Sequence, residues 1–260
     1  MASADSEVTT RSDVGGVRSI ARAVDVLGLF DSEHPTRSLR DIVALSGLPK
    51  TTAVRLLATL ESLGLVAGLG ESVYGLGPGL LRWVRLSHKM WEVSPEVRAM
   101  MTELVDQCGE TVNIYVRQDL ERLSVAQVEG TATVRSVVEV GIPYALAAGA
   151  AAKVLLTGAP QSVLERVARR RPSVRTSDLE REIAAIGEIG YAVTHGEREL
   201  GASAVAAPIR HRDGRVLAAL SASGPTSRFT AQRVAALVDA VTATANRISE
   251  VGLGSVAGFL

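Results

Sequence analysis

Between Val17 and Asp31, apolar residues return every three or four positions. Val17, Ile20, Ala21, Val24, Leu27 and Leu29 fall mostly on one face, which predicts a helix. A polar turn follows from Asp31 to Thr36. Ser38, with Asp41 three residues on, has the form of a capping box ahead of Leu39, Ile42, Val43 and Leu45, so a short second helix starts there. Ser46-Gly47-Leu48 ends it, and Pro49 stands where the first turn of a third helix would begin. From Lys50 to Leu63, the residues Ala53, Leu56, Leu57, Leu60 and Leu63 make one apolar stripe. Thr52, Arg55, Thr59 and Ser62 make a polar one. Leu65-Val66-Ala67 and Val73-Tyr74-Gly75-Leu76 flank a turn and predict a hairpin. Three helices followed by a hairpin describe a winged helix-turn-helix over residues 17–76, preceded by a polar tail, 1–16, that reads as disordered.

Residues 77–92 predict a linker helix carrying Leu80, Leu81, Val84, Met90 and Trp91, more apolar surface than a solvated linker needs. A dimer contact and packing against either domain are both open uses. A helix from Glu96 to Gln107 opens the remainder, 93–254. The runs TVNIYVRQ, RLSVAQVE and TVRSVVEVG then read as antiparallel strands. Helical segments follow at Leu146 to Leu156, Ser162 to Arg170 and Asp178 to Ile189. Strands return in YAVTH, SAVAAPIRHR and VLAALSAS, the last pair joined by Asp213-Gly214, and Thr230 caps a final helix, Ala231 to Ser249. Strands in runs with helices clustered between them define an α+β class with an antiparallel sheet, in two domains.

A chain of 260 residues, 47% hydrophobic and 22% charged, can bury two cores. No apolar run approaches a membrane span, and the first residues lack the apolar stretch of a secretory signal, so a soluble cytoplasmic protein is expected. Cys108 is the only cysteine, and His34, His88, His195 and His211 are scattered, so neither a metal site nor another cofactor is expected. Cys108 itself reads as a buried small side chain. Basic and acidic residues balance at 28 each, yet between Arg37 and Arg55 the bases Arg37, Arg40, Lys50 and Arg55 face Asp41 alone. Aromatics at 3% are too few for a single-strand stacking platform, which leaves duplex DNA as the nucleic-acid partner. Lysine occurs only at Lys50, Lys89 and Lys153 among abundant arginines, so any single arginine is a weak signal.

SLRDIVALSGLPKTTAVRLLATLESLGLV, GYAVTHGERELGASAVAAPI and ALSASGP, in that order, resemble the IclR-type family of bacterial transcriptional regulators across about residues 17–250. The resemblance implies a GAF-like α/β effector domain behind the winged helix. It also implies a homodimer, often paired into a dimer of dimers, that reads an operator. Thr51, Thr52 and Arg55 then stand where base edges are read, and Arg37, Ser38 and Lys50 where phosphates are met. Tyr74 in the wing can equally line a groove or pack the core. The ligand pocket falls beside Ala145 to Lys153, where Tyr144, Leu146 and the amides of Ala150 and Ala151 are candidates for holding a carboxylate. Ser221 and Ser223 match the motif's serines. Thr194 and Ala204 replace the acid and cysteine of members that bind small 2-oxo acids. These swaps toward alanine predict a larger, drier cavity, suited to an apolar or aromatic carboxylic acid. Glu197 reads as a brace for its loop. The rival reading is a hydrolase-like enzyme using Ser221 or Ser223 with His195, the N-terminal unit serving as an interaction module.

Overall fold

The computed structural model describes residues 17–171 and 175–260; the tail 1–16 lies outside the described residues. The chain divides into two compact units, with the break between Lys89 and Met90.

In the first unit, α1 (Arg18–Leu27) precedes β1 (Thr36–Ser38), α2 (Leu39–Ser46) and α3 (Lys50–Ser62), then β2 (Val66–Gly68) and β3 (Val73–Leu76). The capping box forms as the spacing predicts: the Asp41 amide donates to Ser38 Oγ, and the Asp41 carboxylate accepts from the Ser38 amide and hydroxyl. Val26, Leu29, Ile42, Leu57, Leu60 and Val66 are the buried core. Two expectations change. The 31–36 turn ends in a third strand, because β1 finds an open edge on β3, giving the order β1-β3-β2. On α1 the buried side chain is Val26; of the predicted stripe, Val17, Ile20 and Val24 are exposed, while Leu27 and Leu29 at its end pack on this core. α4 (Leu80–Trp91) runs through the break and buries none of its side chains.

The second unit is a six-stranded antiparallel sheet with helices on both faces. Its strands are β4 (Thr111–Gln118), β5 (Glu121–Val128), β6 (Pro143–Ala145), β7 (Ala192–His195), β8 (Ala202–Arg210) and β9 (Val216–Pro225), ordered β6-β5-β4-β9-β8-β7. One face, with Ile114, Val205, Leu220 and Ala222, packs on α5 (Pro95–Cys108) and α9 (Ala231–Val251). The other, with Tyr115, Ala206 and Ala219, packs on α6 (Ala150–Leu156), α7 (Gln161–Arg169) and α8 (Thr176–Ile189). β7 is short and pairs only up to Ala206, so β8 becomes an edge beyond it and tolerates Pro208.

TVRSVVEVG does not form a strand. Residues 131–142 are irregular, with Val134, Val137 and Val140 exposed and Val138 alone among these valines buried. β6, which follows directly, takes the edge of β5 instead. The Ala-rich helix starts at Ala150 rather than Leu146, because Gly149 sits at φ 95° and ψ 156°, a conformation open essentially to glycine. Gly224, in ASGP, is required for a different reason: a Cβ there would lie 2.0 Å from Glu110 Oε2. That carboxylate is fully buried and takes the Arg228 fork at 2.7 and 2.6 Å, with Arg233 at 3.3 Å.

Candidate functional site

A register shift in β5 builds the site. Ile114 stands opposite Ala126 but Tyr115 opposite Ser124, so Val125 is the extra residue of a bulge. Partners across an antiparallel pair share a face. The bulge therefore leaves Ala126 on the α5/α9 side and turns Ser124 and Arg122 to the Tyr115 side. There a small open cavity, of about 40 Å³ of free volume, lies against Arg122 and Tyr115.

Of the residues read from the sequence as ligand contacts, Ala150, Ala151, Thr194, Ala204, Ser221 and Ser223 border this cavity. Leu146 does not; it is buried in the core with α7 and α8. Tyr144 stands just behind, its ring centre 5.9 Å from the Arg122 guanidinium carbon and 5.7 Å from that of Arg198. The Ala150 amide, expected to meet a carboxylate, is already spent on Thr194 Oγ1 at 3.1 Å, and the Gly149 amide on Glu197 Oε2 at 3.2 Å. Glu197 is a brace as read. Its other oxygen takes Lys153 Nζ at 2.5 Å, and the same ammonium reaches Glu182 at 2.5 Å.

The cavity is neither large nor dry, against the expectation drawn from the alanines. Arg122, Arg198, Ser136 and Ser203 also border it, and the sequence reading missed all four. Arg122 is 3% exposed. Its Nη1 donates to the carbonyls of Ala145 and Ala148 at 2.7 and 2.9 Å, while its Nε is buried without a partner. Among the described residues it has no carboxylate partner. Burial pushes its pKa down to about 10; the Tyr115 and Tyr144 rings oppose this and the Arg198 charge adds to it. The available signal was an arginine placed among the alternating residues of a half-buried strand.

His195 Nδ1 lies 2.9 Å from Ser203 Oγ, which in turn lies 2.9 Å from Thr226 Oγ1. The pairing of His195 with Ser221 or Ser223 that a hydrolase reading needs is not formed. Cys108 is partly buried, and burial raises its thiol pKa, which keeps it protonated. Among the described residues no cluster of His, Cys, Asp and Glu could hold a metal ion, and no helix is long and apolar enough to cross a membrane.

In the first unit, Lys50, Thr51 and Arg55 are exposed along α3 and Thr52 is half-buried. The side chains of Lys50, Thr51 and Arg55 make no hydrogen bond or ion pair among the described residues. Three expected DNA contacts are differently employed. Arg37 is half-buried, its Nε donating to Leu29 O at 3.0 Å with Asp31 at 3.7 Å, and so ties the exit of α1 to β1. Ser38 is the cap of α2. Tyr74 packs against the core.

A winged-helix unit followed along the chain by a sheet unit with a cationic cavity is the plan of a transcriptional regulator. The family model for the IclR helix-turn-helix domain matches residues 19–69, and that for the bacterial transcriptional regulator IclR C-terminal domain matches residues 87–250. The chain belongs to the IclR family of transcriptional regulators. It is 29% identical over 240 residues to the HTH-type transcriptional regulator KipR of Bacillus subtilis, covering 89% of this chain and 96% of that one. A solved IclR-family regulator from Rhodococcus sp. is 44% identical with a TM-score of 0.62, covering 94% of this chain and 97% of its own. An IclR homologue from Microbacterium hydrocarbonoxydans, solved with 4-hydroxybenzoate, has the same fold at 23% identity, with a TM-score of 0.68 and coverage of 90% and 100%.

Proposed function

We propose that this regulator binds operator DNA sequence-specifically through α3 and changes its grip when a small carboxylate occupies the cavity behind β5. One observation carries the reading: a buried arginine with an unpartnered Nε and no carboxylate of its own borders a cavity. Holding an uncompensated cation out of water costs several kcal/mol, and an anion that pairs with it recovers much of that cost. Ser221 and Ser223 from β9 add hydroxyls on the same wall, and the apolar Ala150, Ala151 and Ala204 leave room for a short carbon chain. The aromatic carboxylate in the Microbacterium relative is compatible with this; the case for the present chain rests on Arg122.

Residues 17–76 are the DNA-reading part, 77–92 the linker helix and 93–254 the effector part. Lys50 meets phosphate while Thr51, Thr52 and Arg55 face base edges. The working form is a cytoplasmic homodimer or dimer of dimers. What supports association is apolar surface left open in one copy: Ile20 on α1, and Leu81, Trp83 and Val84 on α4. The protein acts by binding and not by turnover, with no cofactor.

The experiment is fluorescence anisotropy with duplexes tiled from the DNA flanking its own gene, with and without a panel of small carboxylic acids. Specific binding should weaken as salt rises, with a log–log slope of about −2 for one phosphate-bound cation, Lys50, per copy of a dimer. Failure to select any tile over scrambled duplex, with or without acids, refutes the operator reading.

A further inference from the structure

We propose that the effector carries two carboxylates, one seated on the Nε–Nη2 edge of Arg122 and the other on Arg198. This rests on the carboxylate reading above and extends it to a class of ligand, the small dicarboxylates. The Arg122 guanidinium has one side already committed, because Nη1 holds two backbone carbonyls. The edge that remains presents Nε, buried and unpartnered, with Nη2 beside it. A planar fork with one free edge takes one carboxylate in two parallel hydrogen bonds. That accounts for a single negative charge.

The second charge comes from Arg198, in the loop between β7 and β8. Its side chain is 28% exposed, and its carboxylate neighbour is Glu199 at 3.4 Å, itself largely in solvent. The Arg122 and Arg198 guanidinium groups approach the same Tyr144 ring, and a Cβ on Gly149 would lie 3.6 Å from Arg122 Nη2 and 3.9 Å from the Arg198 Cβ. The cavity wall thus holds two cations and no acidic residue. Glu197, beside Arg198 in the chain, is taken up by Lys153 and the Gly149 amide. One carboxylate on Arg122 leaves the Arg198 charge at the cavity with only the solvent-exposed Glu199 beside it; a second carboxylate pairs with it. The limited free space favours a chain of a few carbons between the two groups.

The test is isothermal titration of the full chain with malonate, succinate, glutarate and phthalate, each beside its half-amide, and with inorganic phosphate. The half-amides keep the shape and lose one charge. At least one diacid should bind about tenfold or more tightly than its half-amide. Arg198→Gln should bring the two to equal affinity, and Arg198→Lys should keep much of the preference. Arg198 lies in a loop outside regular structure, so these variants fold. Half-amides that match their diacids, discrimination that survives Arg198→Gln, or phosphate binding tighter than every diacid would each overturn the two-carboxylate ligand while leaving an anion site at Arg122. Binding of none of these anions removes both readings.

Discussion

Arg122→Gln separates a brace from a receptor. In the parent, burial holds the guanidinium at a pKa of about 10, well below the ordinary guanidinium range. That difference makes the folded chain about 3 kcal/mol less stable at neutral pH than an unperturbed arginine would. The sign follows from the lowered value: the penalty is complete below pH 10 and fades as pH rises from there toward the unfolded value. Glutamine removes it but leaves the carbonyls of Ala145 and Ala148 short of donors, at about 1–3 kcal/mol each, and its own amide can restore one. The two effects nearly cancel, so the unliganded variant should stay within about 2 kcal/mol of the parent. The ligand response should not survive. An acid at a hundred times its Kd adds about 2.7 kcal/mol to the parent. For a unit of this size that is a rise in Tm of about 5–10 °C. Scanning calorimetry of both proteins, with and without the best-binding acid, reads each quantity. A variant that loses 4 kcal/mol or more without ligand yet keeps the ligand-induced rise would show Arg122 to be structural, and the reasoning wrong.

Arg55→Ala should lose about 1–3 kcal/mol of discrimination between operator and scrambled duplex while its Tm stays within error, read by anisotropy at fixed salt. Ser38→Ala removes the cap of α2 and should lower stability by about 1 kcal/mol in urea unfolding of the chain, with no change in effector affinity. Glu110→Gln leaves Arg228 and Arg233 without their shared carboxylate and should cost about 3 kcal/mol or more, seen as a loss of Tm in the C-terminal unit. The Arg166 fork holds the Asp119 carboxyl below its usual range. Its contribution is therefore present above the unfolded value and lost as pH falls through the folded one. Asp119→Asn should lower stability slightly near neutrality and leave the acid limit unchanged, which flattens the acid side of the stability–pH curve, checked by thermal melts from neutral pH into the acid range.

Local chemistry wrote most elements directly into the chain. Ser38 and Asp41 cap α2, Pro49 and Gly47 separate α2 from α3, and Asp213-Gly214 turns β8 into β9; each acts within a few residues of itself. The strand reading failed at 133–141 because β propensity gives no information about which sheet edge is free. On α1 the first half of the apolar stripe, Val17, Ile20 and Val24, lies outside its own core, and nothing local distinguishes a face that packs within the unit from one left exposed.

The site divides along the same line. Its β9 serines and α6 alanines could be read as motif positions, since they lie in short segments with a recognisable pattern. Arg122 could not. Simple alternation puts Arg122, Ser124 and Ala126 on one face, and the strong arginine bias of the chain made one more arginine unremarkable. The bulge at Val125 is set by pairing with β4, ten residues away in sequence, and it alone turns the guanidinium from the α5/α9 core to the cavity. Sheet order then brings Arg122 on β5 and Ser221 on β9 to one wall through β4, and β8 carries the loop that holds Arg198. The sequence by itself determined the helices, most of the strands and the winged-helix plan, because those follow from periodicity and caps. Folding in three dimensions was needed to bring two positive charges to one cavity, Arg122 with no carboxylate and Arg198 with only an exposed one, because register and strand order are properties of pairing between distant segments.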